Sequence, residues 1–203
     1  MVDVGNHKLD RWGLVISGCI DGKSRLVCWL ECDDNNRAET VGSHFLEATS
    51  RLGWPSRTRT DRGGENYKVC EYMLAVRGLD RGSHIAGPST HNQRIERLWR
   101  DVWKDVNCLF SQLFTYLETI GMDVENEIHM CCLHFVFLPR INDALRSFVE
   151  RWNNHPITTE RNATPRQIIM NHLIAHGECV MPAVLEPRVD ICVDVLRWLT
   201  MCA

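Results

Sequence analysis

Apolar and polar positions alternate in the first part of the chain and recur at helical spacing in the rest. Residues 12–20 (WGLVISGCI) and 25–32 (RLVCWLEC) read as two strands around an Asp21-Gly22 turn, a hairpin. Residues 2–5 ahead of them predict one more strand. Ala38, Val41, Phe45 and Leu52 give one apolar side to a helix over about 37–52, with Asn35 or Asn36 as its cap and Gly53 as its stop. A β-type run at 56–60 ends at Asp61, where Gly63-Gly64 breaks the chain. Asn66 then caps a helix over about 67–77, closed by Gly78. Residues 82–90 carry two glycines and a proline and predict a loop with a short strand in it. Ile95, Leu98, Trp99, Val102, Val106, Leu109, Phe110 and Leu113 form a long helical stripe that ends at Gly121. Residues 126–153 are helical again, with Pro139 as a restart or kink, and Thr164-Pro165 opens a helix over 165–176. Beyond 178 the pattern is ambiguous, although Val193, Leu196 and Trp198 fit a short helix. This order predicts an α/β layer fold: a mixed five-stranded sheet flanked by helices, with a helical C-terminal extension. We divide it into 1–120, its helical continuation 121–175, and a tail 176–203.

Composition narrows the class. At 203 residues, 44% hydrophobic and 24% charged, the chain can bury a full core. No apolar run approaches the ~18 residues of a membrane span, and no secretory h-region opens the sequence. We therefore expect an intracellular protein with no membrane partner. The 10 cysteines then read as reduced thiols, mostly core filler. The net charge of −3 is unevenly spread. Residues 51–68 hold five Arg/Lys against two acids, and 91–104 hold four against two, so an anionic partner is permitted.

Three acids stand out by position. Asp3 lies in the first strand, Asp61 at the end of the fourth beside a glycine pair, and Glu96 near the start of the long helix. Carboxylates converging from such a frame would make a hard, all-oxygen site suited to Mg²⁺ or Mn²⁺. On spacing alone, three solvated surface acids is the simpler account. His129, Cys131, Cys132 and His134 imitate a metal cluster, but adjacent helical cysteines diverge by about 100° and no second pair stands at zinc-like spacing. We read these four as core. The tryptophans Trp12, Trp29, Trp99 and Trp103 also read as core.

The wording around the acids resembles a known family. Thr60-Asp61-Arg62-Gly63-Gly64-Glu65-Asn66 resembles the second-aspartate motif of the retroviral-type integrase core. The run from Gly87 to Trp99 (GPSTHNQRIERLW) resembles that family's flexible loop and third-acid helix, with 34 residues between Asp61 and Glu96. Asp3 with Gly5, His7 and the following hairpin resembles the first-aspartate region, and Trp152-Asn153-Asn154-His155-Pro156 with Thr164-Pro165 resembles the end of the core. The likeness runs from about residue 2 to 170, in order, and is nearest to the transposon-related animal branch. It implies an RNase H-like fold and a DDE-type polynucleotidyl transferase centre. Asp3, Asp61 and Glu96 would be the acidic triad holding two Mg²⁺ or Mn²⁺ ions. The reaction would be cleavage or strand transfer at a DNA phosphodiester, in an intact or a degraded copy, with a nuclear location and a homo-oligomer where active. Asp21, also in an Asp-Gly pair, reads as a hairpin residue.

Asn92, Glu96, Arg100 and Trp103 or Lys104 recur at three and four along the long helix, and Arg97 flanks them. Asn92, Arg97, Arg100 and Lys104 could hold DNA phosphates beside the acids. They could equally form a solvated face laced with pairs such as Arg97–Asp101. Two rival functions stay open: a domesticated, non-catalytic DNA- or protein-binding module on the same fold, and an RNase H-type nuclease. The family's usual N-terminal zinc module and C-terminal DNA-binding module are not visible, so the expectation for residues 1–203 is poor concerted joining.

Overall fold

The computed structural model describes residues 2–4, 9–87 and 93–176; for 2–4, 93 and 176 it describes the backbone alone. Strands β1 (Val2–Val4), β2 (Val15–Ile20) and β3 (Val27–Asp33) form an antiparallel sheet in the order β1-β2-β3. Helix α1 (Ala38–Leu52) leads to β4 (Thr58–Thr60), α2 (Tyr67–Arg77) and β5 (His84–Ala86), and β4 and β5 pair in parallel. β1 lies beside β4, with Cα atoms within 8 Å, although no ladder joins them. Five predicted strands are thus present among the described residues, as a three-stranded and a two-stranded sheet rather than one ladder. Helices α3 (Gln93–Val102), α4 (Cys108–Thr119), α5 (Glu127–Asn154) and α6 (Pro165–His176) follow among the described residues. The expected tail helix near 193–198 lies outside the described residues.

The pleat of β2 sorts the core into two layers. Ile16 and Ile20 face a large cluster with Leu98, Trp99, Val102, Phe110, Phe114, Ile141, Leu145 and Phe148 of α3–α5. Cys19 and Trp29 join Val41, Phe45, Val69 and Met73 of α1 and α2 in a second cluster. The sheet is therefore covered on both faces. Trp12, Trp29 and Trp99 are buried, as the pattern predicted.

Several local expectations need correcting. Trp12 belongs to a 3₁₀ turn, Asp10–Trp12, not to the hairpin strand. Asn35 does not cap α1 directly: Arg37 occupies the cap position, and Asn35 Oδ1 accepts from Arg37 N at 3.1 Å and Thr40 Oγ1 at 2.7 Å. Pro139 lies inside an unbroken α5. The long amphipathic helix is interrupted by a π turn, Trp103–Asn107, whose wider turn shifts the phase of the apolar stripe. Phe110 and Phe114 are consequently buried while Leu109, expected in the stripe, is 67% exposed. Cys131 and Cys132 are exposed, so the core reading fails for them. Their histidine neighbours bond to backbone: His134 Nε2 to Trp12 O at 2.7 Å, and His129 Nδ1 to Asp123 N at 3.0 Å.

α5 is locked to the outer edge of β3 by two asparagines. Asn153 bonds both backbone groups of Val27, Oδ1 accepting from N at 2.9 Å and Nδ2 donating to O at 3.0 Å. Asn142 does the same for Cys32 at 2.7 and 2.9 Å. Each amide replaces a missing neighbouring strand, which blunts an edge that would otherwise be open for pairing.

Candidate active site

Asp61 follows the last residue of β4, at the point where the chain leaves the sheet. It is half-buried. Its Oδ1 accepts from Asn66 Nδ2 at 2.7 Å and from Gly63 N at 3.3 Å, while Oδ2 has no hydrogen bond to a described residue. One oxygen is thus pinned, and the other has no partner among the described residues. Asn66 is not the side-chain cap that its position before α2 suggested. A 3₁₀ turn over Gly64–Asn66 brings its backbone into the helical region, which frees the amide to turn back onto Asp61. The same Nδ2 lies 3.4 Å from Glu65 Oε1, so one buried amide spans two carboxylates. Gly63 makes room for this: a Cβ there would stand 1.7 Å from Glu65 Oε1.

Asp3 sits at the centre of β1, where it pairs with Gly18 of β2. Its side chain lies outside the described residues. Gly18 is the contact that brings α3 to this part of the sheet. A Cβ on Gly18 would stand 3.1 Å from Trp99 Cη2 and 2.9 Å from Leu30 Cδ1. Glu96 is three residues before Trp99 on the same helix and is exposed, with no hydrogen bond or ion pair to a described residue. The strand of Asp3 is therefore flanked by the strand that ends at Asp61, and α3 reaches it through Gly18. Among the described residues no three His, Cys, Asp or Glu side chains form a metal-sized group; Asp61 and Glu96 are the described members of the expected triad.

Arg97, Arg100 and Lys104 are exposed, and none forms an ion pair with a described residue. The Arg97–Asp101 pair of the solvated-face account is not among the ion pairs; Asp105 instead meets Arg151 at 3.4 Å. Asn92, His91 and His7 lie outside the described residues. Asp21 is tied into its turn through one oxygen: Oδ2 accepts from Ser24 N at 2.6 Å, Ser24 Oγ at 2.7 Å and Lys23 N at 3.1 Å. Burial opposes its ionisation, but the Ser24 and Lys23 donors outweigh that and hold the carboxyl below its usual range.

Sequence reasoning missed Gly18, Glu65 and the true partner of Asn66. A faint signal existed for Asn66, five residues after the acid it holds. None existed for Gly18, whose partner Trp99 is distant in sequence.

A mixed α/β core with its sheet covered on both faces is what the integrase-core resemblance implies. Comparison with solved structures agrees. The chain superposes on the HTLV-2 integrase catalytic core domain in its trimeric form, a complex with magnesium, with a TM-score of 0.53 at 16% identity, covering 82% of this chain and 92% of the other. The dimeric form of that domain gives 0.53 at 17% identity, covering 83% and 92%. No curated protein sequence matches the chain. The family described as Integrase core domain matches residues 2–181, and the chain belongs to it.

Proposed function

We propose that this chain is a metal-dependent polynucleotidyl transferase core, cleaving and joining DNA phosphodiesters in integration or transposition. The observation that carries the reading is the Asp61 carboxylate, with one oxygen fixed by Asn66 and the other without a hydrogen bond to a described residue, at a strand end beside the strand of Asp3. Asp3, Asp61 and Glu96 offer hard oxygen donors, which fit Mg²⁺ or Mn²⁺. Two such ions, when bound, supply charge stabilisation and activate the attacking hydroxyl. The chain's own part is to hold Asp61 rigid through Asn66 and to present exposed Arg97, Arg100 and Lys104 to the phosphates, with Asn92 assigned to the same surface. Residues 1–120 carry the chemistry in this reading, and 121–175 brace it.

The substrate implies a nuclear site of action and, for joining two ends, a homo-oligomer that sets two centres a fixed distance apart. The fold is that of a domain known in dimeric and trimeric forms, which supports the assembly. Among the described residues no helix is long and apolar enough to cross a membrane. The test is Mn²⁺ titration followed by cleavage of branched DNA, where the substrate already aligns the reacting ends. Asp61→Asn is expected to keep the fold and lose both Mn²⁺ binding and cleavage, while Asp21→Asn keeps them. Normal cleavage by the Asp61 variant would refute the assignment. A wild-type chain that binds DNA but no Mn²⁺ would make it a domesticated binding module.

A further inference from the structure

A buried polar chain runs beneath Asp61 and is not explained by packing. Thr58 and Thr60 of β4 are 3% and 1% exposed, so their hydroxyls need partners. His84 of β5 supplies them: Nδ1 lies 3.0 Å from Thr58 Oγ1, and Nε2 lies 3.3 Å from Thr60 Oγ1. Thr60 Oγ1 in turn donates to the backbone carbonyl of Asp61 at 2.9 Å.

Proton counting fixes the direction of this chain. A hydroxyl has one proton, and that of Thr60 goes to the Asp61 carbonyl. Thr60 Oγ1 must then accept from His84, which places the ring proton on Nε2. In the neutral ring Nδ1 is left as an acceptor, and the Thr58 hydroxyl donates to it. Burial holds His84 below its usual pKa, consistent with a neutral ring. The parallel ladder frames the arrangement, with Thr58 N donating to Ser83 O at 2.8 Å and Gly87 N to Thr60 O at 3.1 Å.

We propose that His84 is a positioning residue for Asp61: the relay Thr58 to His84 to Thr60 to the Asp61 carbonyl fixes the peptide from which that carboxylate projects. Asn66 fixes the carboxylate from one side and the relay fixes its backbone from the other. The inference rests on the proposed function only for the part Asp61 plays with metal; the relay itself stands on the hydrogen bonds.

The test uses the full chain, ¹⁵N-labelled, and two substitutions. Thr60→Val keeps the branched shape and removes the hydroxyl; Thr60→Ser restores it. Long-range ¹⁵N–¹H spectra at neutral pH are expected to show His84 as the Nε2–H tautomer in the wild type. The Asn66 side-chain amide reports the Asp61 carboxylate without any metal. Its resonances are expected to shift in Thr60→Val and to return to the wild-type position in Thr60→Ser, with both variants folded by circular dichroism. Mn²⁺ affinity is expected to fall by about tenfold or more in Thr60→Val, the usual effect of removing a group that supports a ligand. An Nδ1–H or protonated His84 overturns the proposal, as does an unmoved Asn66 amide in Thr60→Val. If the wild type binds no Mn²⁺, the proposed function fails, and the tautomer and amide readouts still decide the relay.

Discussion

Asn153 ties α5 to the edge strand β3. Its amide makes two hydrogen bonds to the backbone of Val27, which is 2% exposed. Asn153→Ala removes both bonds and leaves a buried N–H and C=O without partners. A neutral hydrogen bond contributes about 1 kcal/mol net, and an orphaned buried group costs about 1–3 kcal/mol. The expected loss is therefore about 2–4 kcal/mol, or roughly 4–16 °C in melting temperature for a domain of this size. Asn154→Ala is the control, because Asn154 is exposed and, among the described residues, its side chain bonds only to Glu150. It should stay within about 0.5 kcal/mol of wild type. Urea titration with unchanged slope reads both. Asn142→Ala should cost a similar amount through Cys32. The two asparagines are about 16 Å apart along α5, so their effects should add. If Asn153→Ala is no worse than Asn154→Ala, α5 does not secure the edge of β3 through this amide.

Three further outcomes follow from the same structure. Gly18→Val should cost about 1–3 kcal/mol by overpacking against Leu30 and Trp99, and a wild-type urea midpoint would show that α3 does not lie close over Gly18. Arg100→Ala should weaken binding to all DNA sequences alike and reduce its salt dependence, and an unchanged salt slope returns Arg100 to a solvated face. His44, hydrogen-bonded to Asp33 at 2.9 Å, is raised above its usual pKa of 6.5 by that bond, against the opposing effect of burial. Its contribution is fully present below the unfolded pKa and is lost as pH rises through the folded one. The melting-temperature gap between wild type and His44→Gln should therefore be largest below pH 6.5 and shrink as pH rises above it, and a constant gap would remove His44 from the pH response.

Much of the fold was legible because helix ends carry local chemistry. Gly53, Gly78 and Gly121 all take positive φ, at 81°, 86° and 115°, where a side chain is strained, so each stop could be read from one residue. Thr164 and Gln167 form a reciprocal cap, Oγ1 accepting from Gln167 N at 3.2 Å and Oε1 from Thr164 N at 2.9 Å. The π turn was not legible for a matching reason. Leu109 and Phe110 are adjacent and both apolar, so a one-residue phase shift moves burial from one to the other without breaking the pattern. The surface position of Cys131 and Cys132 was not legible either, because a cysteine on an amphipathic helix fits a buried or an exposed position, and here both are exposed.

The candidate site divides along the same line. Asp61 and Glu96 could be picked out through the family wording around them, since spacing alone favoured solvated surface acids. What holds Asp61 could not, because its supports act through space. Asn66 looks like a helix cap until the 3₁₀ turn at Gly64–Asn66 re-aims it. Thr58, Thr60 and His84 look like ordinary alternating strand residues until β4 and β5 pair in parallel and bring the ring between the two hydroxyls. Each support is a neutral polar group, so it leaves no charge pattern to find. Thr58, Thr60 and Asn66 are buried and His84 is half-buried, and a buried hydroxyl without a partner is costly. In the proposed reading, the carboxylate offered to cations is positioned by residues whose identity looks incidental in the sequence.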